Sequence, residues 1–290
     1  MNFTIFSLVT AQTFSMSPLF TGRSQFNSIS SSFSYSYASI FYFQNIRELS
    51  LNFNTFSFIL SSAVYISSED QENKRFNKRF SDSGELSKIK ISNCLFLKCV
   101  SKENGGGIFI GSKTSDTDFT LQSTGFKQCQ SKNGDAFYSE TRSITCQSCC
   151  IDNCINSAFY ANEKKTLNFQ SNFISNSKLN SNIKQSPQFK FESVNLSFNT
   201  DSIHITTESV HDFEVVITDC ELNSNAGEDL FVVSLPYAID FSIQNTIFQN
   251  NNFAHSIVNV KDAPFIRLVE CYFKEDNSKY YLLYPSRSTF

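Results

Sequence analysis

No tryptophan occurs among these 290 residues, and only five prolines and nine glycines do. The missing tryptophan leaves 32 phenylalanines as the large apolar fillers, a set suited to a narrow core. With so few helix breakers present and still no sustained helical period, the chain reads as almost entirely β-strand. A run of eighteen apolar residues is also lacking, so no helix of this sequence is expected to cross a membrane. Nor is there a basic excess. Lys and Arg number 24 against 27 Asp and Glu, for a net charge of −3 and a pI near 5.7. Phosphate backbones require a positive footprint, and its absence excludes nucleic acid as a partner.

What is present is a repeat. From Ile89 to Ile110 the chain reads IKISNCLFLKCVSKENGGGIFI. Taking Cys99 as an anchor, apolar residues stand ten, eight and three positions before it at Ile89, Ile91 and Phe96. The same frame fits the anchors Cys129, Cys154, Asn199, Asn225, Asn251 and Asp276; for Asn225, for example, it gives Val215, Ile217 and Leu222. An eighth copy is anchored at Asn176, with Leu167, Phe169 and Phe173 inward and one residue fewer between strand and turn. Upstream, Ile59 as anchor gives Leu49, Leu51 and Phe56. Successive anchors from Cys99 lie 30, 25, 22, 23, 26, 26 and 25 residues apart, a solenoid period.

A period-two strand buries one face, and one copy alone holds too little apolar surface to offset chain entropy of ~1–2 kcal/mol per residue. Stacked copies solve this by pairing backbones at ~4.8 Å and forming continuous columns inside. The expected architecture is an all-β, right-handed parallel β-helix of about 9–11 coils of roughly 22–30 residues, its hand following the crossover preference. A single domain covers 1–290, with an irregular N-terminal coil or cap over 1–45 and regular coils over 89–276. An inserted loop over 67–88 carries both signs of charge in Glu69 to Arg79, and 277–290 forms the C-terminal end. MNFTIFSLVTAQTFS lacks a positive start and reads as a first irregular strand in preference to a secretion leader. YYLLYPSRSTF ends on apolar residues without a polar cap, as a piece of a longer protein would.

Small residues before the strand after each anchor, as in Gly106-Gly107-Ile108 and Gly134-Asp135-Ala136, mark a sharp bend. Pro187, Pro236 and Pro264 fall near strand starts or in connections, where a missing N–H is tolerated. The anchors Asn176, Asn199, Asn225 and Asn251 are read as a structural amide ladder.

Candidate chemistry is thin. Cys146, Cys149, Cys150 and Cys154 approach zinc-ligand spacing, but three of the four occupy inward columns and read as small core fillers. Vertically stacked cysteines have nearly parallel Cβ vectors, ill suited to disulfides, and nine is an odd number. Polysaccharide lyases and hydrolases, common among β-helices, would need paired acids or a calcium site. The outward rows beginning at Lys90 and Ser92 form no acidic stripe; Asp219 and Glu270 lie two coils apart, and Glu228 and Asp229 read as a solvated turn. His204, His211 and His255 fall at unrelated offsets. Asn195-Leu196-Ser197 is a glycosylation sequon facing outward. No catalytic, cofactor-binding or metal-ligating residue is singled out.

The pairing of FxxN-like turns (Phe173 to Asn176, Phe248 to Asn251) with GGAI-like strand starts (Gly106 to Ile108, Gly134 to Phe137) resembles the polymorphic outer-membrane protein repeats and related protist surface proteins. The resemblance covers roughly 46–276. It implies a right-handed parallel β-helix of the pectin lyase-like kind, at the cell surface or secreted, often adhesive and without catalytic residues. The expected function is a non-enzymatic scaffold whose lateral face binds a cell, matrix or glycan partner, the alternative being a carbohydrate-active enzyme on the same helix.

Overall fold

The computed structural model describes residues 2–6, 10–12, 20–22, 25–44, 46–67, 87–111, 116–163, 165–184, 188–206, 213–234, 238–260, 266–274 and 281–285. All regular elements among them are strands, arranged in three parallel sheets of eleven strands each. Each coil gives one strand to each sheet in turn, so strand order within a sheet advances by three along the chain. One coil, for instance, places Ser87–Ser92 in the first sheet, Leu95–Leu97 in the second and Ile108–Ile110 in the third. The strands at Asn2–Phe6, Thr10–Gln12 and Phe20–Gly22 pair in the same parallel manner with Gln25–Ile29, Ser32–Ser36 and Phe41–Gln44. The charged insertion lies outside the described residues over 68–86, as do His211 and the three prolines at 187, 236 and 264; of 277–290 only the strand Tyr281–Pro285 is described.

The columns inferred from spacing are realised. Ile91 pairs with Leu121 and Leu121 with Cys146, while Phe96 pairs with Phe56 on one side and Phe126 on the other. These residues belong to one continuous buried cluster that runs from Phe26 to Val258. On the inner side of the second sheet the rings of Phe33, Phe56, Phe96 and Phe126 stack at centroid distances of 5.6, 4.7 and 4.9 Å.

One copy is corrected. Leu167 and Phe169 sit in the expected columns, but Ile174 pairs with Ile151 and is buried, whereas Phe173 is 42% exposed. The anchor of this coil is therefore Ser177, and the coil is not short. Asn176 points outward, donating through Nδ2 to Asp152 Oδ1 at 3.0 Å. The amide ladder comprises Asn199, Asn225 and Asn251, with Ser177 N donating to Asn199 Oδ1 at 3.1 Å from the coil before.

Two sharp corners recur in the coils from Gln25 onward wherever the corner is described, and both use left-handed backbone at residues other than glycine. Between the first and second sheets this residue is Asn93, Ser123, Ser148 or an equivalent; just before each anchor it is Lys98, Gln128, Asn153 or an equivalent. Each such residue costs about 1–2 kcal/mol, offset by the coil closure it permits. The bend turns a carbonyl inward, where a bare acceptor would cost about 1–3 kcal/mol. A small donor two residues on fills that need: Cys94 Sγ bonds Ser92 O, Thr124 Oγ1 bonds Gln122 O, Cys220 Sγ bonds Thr218 O and Thr246 Oγ1 bonds Gln244 O. The buried cysteines thus share a structural task with threonine and asparagine.

Five residues separate the inward position of the first sheet from that of the second in the ten coils from Gln25 onward, as from Ile91 to Phe96 or Ile217 to Leu222; the register equivalents in the first coil, Ile5 and Ala11, are six apart. Among those ten coils, variation in length is confined to the stretches entering and leaving the third sheet. Glycine is required in two ways there. Gly105 and Gly134 adopt φ of +68° and +67°, and a Cβ on Gly106 would meet the carbonyl of Asp135 in the next coil at 2.5 Å.

Candidate functional site

The outer side of the first sheet is a flat polar face. One row runs Lys90, Thr120, Thr145, Asn168 and Lys190 in direct register, the next Ser92, Gln122, Gln147, Gln170 and Glu192. Charge along these rows is sparse and partly cancelled, as where Lys190 Nζ meets Glu192 Oε2 at 2.8 Å. Of the five buried polar atoms without a partner among the described residues, Asn27 Oδ1, Ser92 Oγ and Asn168 Oδ1 belong to this face. Ser92, shorter than Asn52 and Gln122 on either side, forms part of a shallow groove of about 200 Å3 with Lys90 at its edge.

The outer side of the third sheet carries an aromatic ladder. Tyr42, Tyr65, Phe109, Tyr138 and Tyr160 stack with centroids 5.0, 4.6, 5.2 and 4.3 Å apart. Lys184 Nζ lies over the last ring at 5.7 Å. A sugar stacks on an open ring face, and here the inner faces are occupied by neighbouring rings, so the ladder is a stabilising element. Tyr138 Oη donates to Glu140 Oε1 at 2.6 Å; burial and this carboxylate raise the phenol pKa.

Further along the same sheet the regular coil gives way. The strands Ala226–Ser234 and Asn252–Val260 lengthen to nine residues, and their register shifts between Gly227 and Asp229. Beside them opens a concavity of about 590 Å3. Its walls bring together His204 and His255, with Asp201, Glu228 and Asp229. Asp229 is 4% exposed and lies within a strand, which corrects the expectation of a solvated turn; Glu228 beside it is exposed. Ser256 Oγ donates to Asp229 Oδ1 at 2.6 Å and Asn259 Nδ2 to Oδ2 at 2.9 Å. Counting offsets back from each anchor indexes the first two sheets alone. The histidines looked unrelated because they lie on the third, where coil length varies; the change of the bend into an unbroken strand at Leu230-Phe231-Val232-Val233 was the available signal.

The cysteine cluster does not converge. Cys146 lies on the first sheet, Cys149 at the corner and Cys154 at the anchor, all buried, while Cys150 points outward. Among the described residues no three His, Cys, Asp or Glu side chains are placed to hold a metal ion. Burial pushes the Cys94 and Cys220 thiols up to about 11, leaving them inert at neutral pH. Asn195 of the sequon lies on the outward side of the second sheet, as expected, with Nδ2 donating to Glu221 Oε2 at 3.0 Å.

One buried acid carries a pH signature. Glu163 is fully enclosed; Thr141 donates to Oε2 through N and Oγ1, and Oε1 has no partner. Burial lifts its pKa from 4.5 to about 7, against the lowering effect of the Thr141 bonds. Below pH 4.5 both folded and unfolded chains hold this proton. As pH rises, the unfolded chain releases it first, so the stability contribution falls by about 3 kcal/mol and levels off above pH 7. Denaturant midpoints followed from pH 4 to 8 are expected to fall in the wild type and to lose this component in Glu163→Gln.

Compared with protein-family models, with curated proteins and with solved structures, the chain matches none of them.

Proposed function

We propose that this protein is a non-enzymatic scaffold at the cell surface or outside the cell, and that it binds a glycan along the outer face of its first sheet. The observation that carries this reading is the row Gln122, Gln147 and Gln170 beside Thr120, Thr145 and Asn168. Each carboxamide offers two donors and an acceptor, the complement of vicinal sugar hydroxyls. Eleven strands at ~4.8 Å give this face a length of roughly 48 Å, enough for an extended oligosaccharide. An adhesive surface role is also what the likeness to outer-membrane protein repeats implies.

The test is binding of the purified chain to an array of neutral and acidic glycans, with Gln122→Ala/Gln147→Ala/Gln170→Ala as the probe. These side chains face outward, so the variant is expected to keep the wild-type circular dichroism spectrum while losing at least tenfold in affinity. Binding that survives the triple substitution unchanged would remove the first sheet from the account. An exclusively cytosolic signal from antibody labelling of intact and permeabilised cells would remove the surface role. The alternative, a carbohydrate-active enzyme, would draw on Glu214 and Asp240, register partners on adjacent strands of this sheet, or on the cleft of the third sheet.

A further inference from the structure

The outer side of the second sheet carries a row of exposed apolar side chains. In direct register this row includes Leu95, Phe173, Ile247 and Tyr272, each 40–60% exposed, and Asn195 stands in it between Phe173 and Glu221. Among the described residues no other ring stacks on Phe173, so its exposed face is uncovered beside the asparagine.

Asn195 opens the tripeptide Asn195-Leu196-Ser197, which forms a complete three-residue strand. Leu196 is fully buried and pins the strand, so its two neighbours lie together on the outer side. The hydroxyl and carboxamide of the tripeptide therefore meet, Ser197 Oγ donating to Asn195 Oδ1. Asn195 Nδ2 gives one hydrogen to Glu221 Oε2 at 3.0 Å in an exposed contact, and no described residue takes the other. That second hydrogen is the one a sugar would replace. The segment is extended, and after folding Nδ2 faces outward, so a glycan joined to the nascent chain would not be trapped inside the shaft. One further tripeptide of this kind occurs, Asn2-Phe3-Thr4, on the first sheet.

We propose that Asn195 carries an N-linked glycan and that its first sugar covers the ring of Phe173. The proposal rests on the extracellular reading above and places the modification on a different sheet from the glycan-binding rows. The donor is an oligosaccharide linked through pyrophosphate to a lipid. Nδ2 bonds to the anomeric carbon, the bond from that carbon to the pyrophosphate oxygen breaks, and the lipid pyrophosphate leaves with the electron pair. The displaced amide proton passes to a base of the transferase. One N–H remains for Glu221. The apolar face of a pyranose packs on an aromatic ring, and the rest of the glycan solubilises a row that is otherwise bare.

The test is treatment of the full chain, recovered from the cells that make it, with peptide-N-glycosidase, alongside surface labelling of the same cells. A single step of increased mobility is expected, with an aspartate left at position 195 in the corresponding peptide. Asn195→Gln and Ser197→Ala are expected to lose the step, while Ser197→Thr and Asn2→Gln keep it. Removing the glycan from the wild type is expected to raise binding of an apolar dye at least twofold, an increase that Phe173→Ala cancels. A chain at the surface or in the medium that shows no step, or a step that Asn2→Gln alone removes, overturns the proposal and leaves the extracellular reading standing. An exclusively cytosolic chain overturns both. Dye binding that does not change on deglycosylation overturns the contact with Phe173.

Discussion

Truncating Phe96 to alanine is expected to destabilise the chain by about 3–5 kcal/mol, the range for a buried phenylalanine in a core that cannot collapse around the gap. Collapse is hindered here because the rings above and below, Phe56 and Phe126, are 4.7 and 4.9 Å away and are fixed by the backbone ladders of their own coils. A solenoid coil touches only its neighbours, so both interfaces of the Leu95–Leu97 strand are weakened at once. The measurement is the urea midpoint, with Phe198→Ala as the contrast. Phe198 is 59% exposed at a left-handed corner, and its loss is expected to move stability by no more than about 0.5 kcal/mol. Equal effects of the two substitutions would show that the shared apolar shaft does not hold the coils together.

Asn225→Ala is expected to be nearly as damaging for a different reason. Asn225 Oδ1 accepts from Asn199 N and Nδ2 at 3.1 Å, and its Nδ2 donates to Leu196 O at 2.8 Å and to Asn251 Oδ1 at 3.0 Å. Alanine strands the backbone N–H of Asn199 and the carbonyl of Leu196 in a dry interior, at about 1–3 kcal/mol each, for a total of roughly 2–6 kcal/mol. Asn225→Asp is expected to be no better, because it keeps the acceptor and places a charge where a donor is needed. Asn176→Ala, outside the ladder, is expected to cost no more than about 0.5 kcal/mol. Thermal unfolding of the three variants checks the order; an Asn176 variant as unstable as Asn225→Ala would contradict the register.

The contrast between Asn176 and Asn225 also marks how far the sequence could be read. Columns built from Ile89, Ile91 and Phe96 and their equivalents were legible because burial on one side of a strand imposes strict alternation over a fixed span. Asn176 was misplaced because Phe173 and Ile174 are both apolar, so composition could not say which one faced inward. The bond between Ser177 N and Asn199 Oδ1 decides it. The left-handed corners were legible in principle, since Asn93, Ser123, Ser148, Ser171, Ser193, Asp219 and Asn245 recur at one position, enriched in small polar residues that tolerate such backbone. The cleft was not. His204 and His255 are 51 residues apart in sequence and meet only because the third sheet stacks their strands two coils apart.

The five-residue step between the first and second sheets, kept in ten of the eleven coils, contrasts with the elastic stretches around the third, and this makes the molecule permissive chiefly on one side. A residue added at the rigid corner would invert the facing of the strand that follows. An insertion beside the third sheet, where natural spacing already ranges widely, leaves both polar rows in phase. A foreign epitope or affinity tag is therefore best grafted on that flank, where it would travel with the shaft without disturbing the surface opposite.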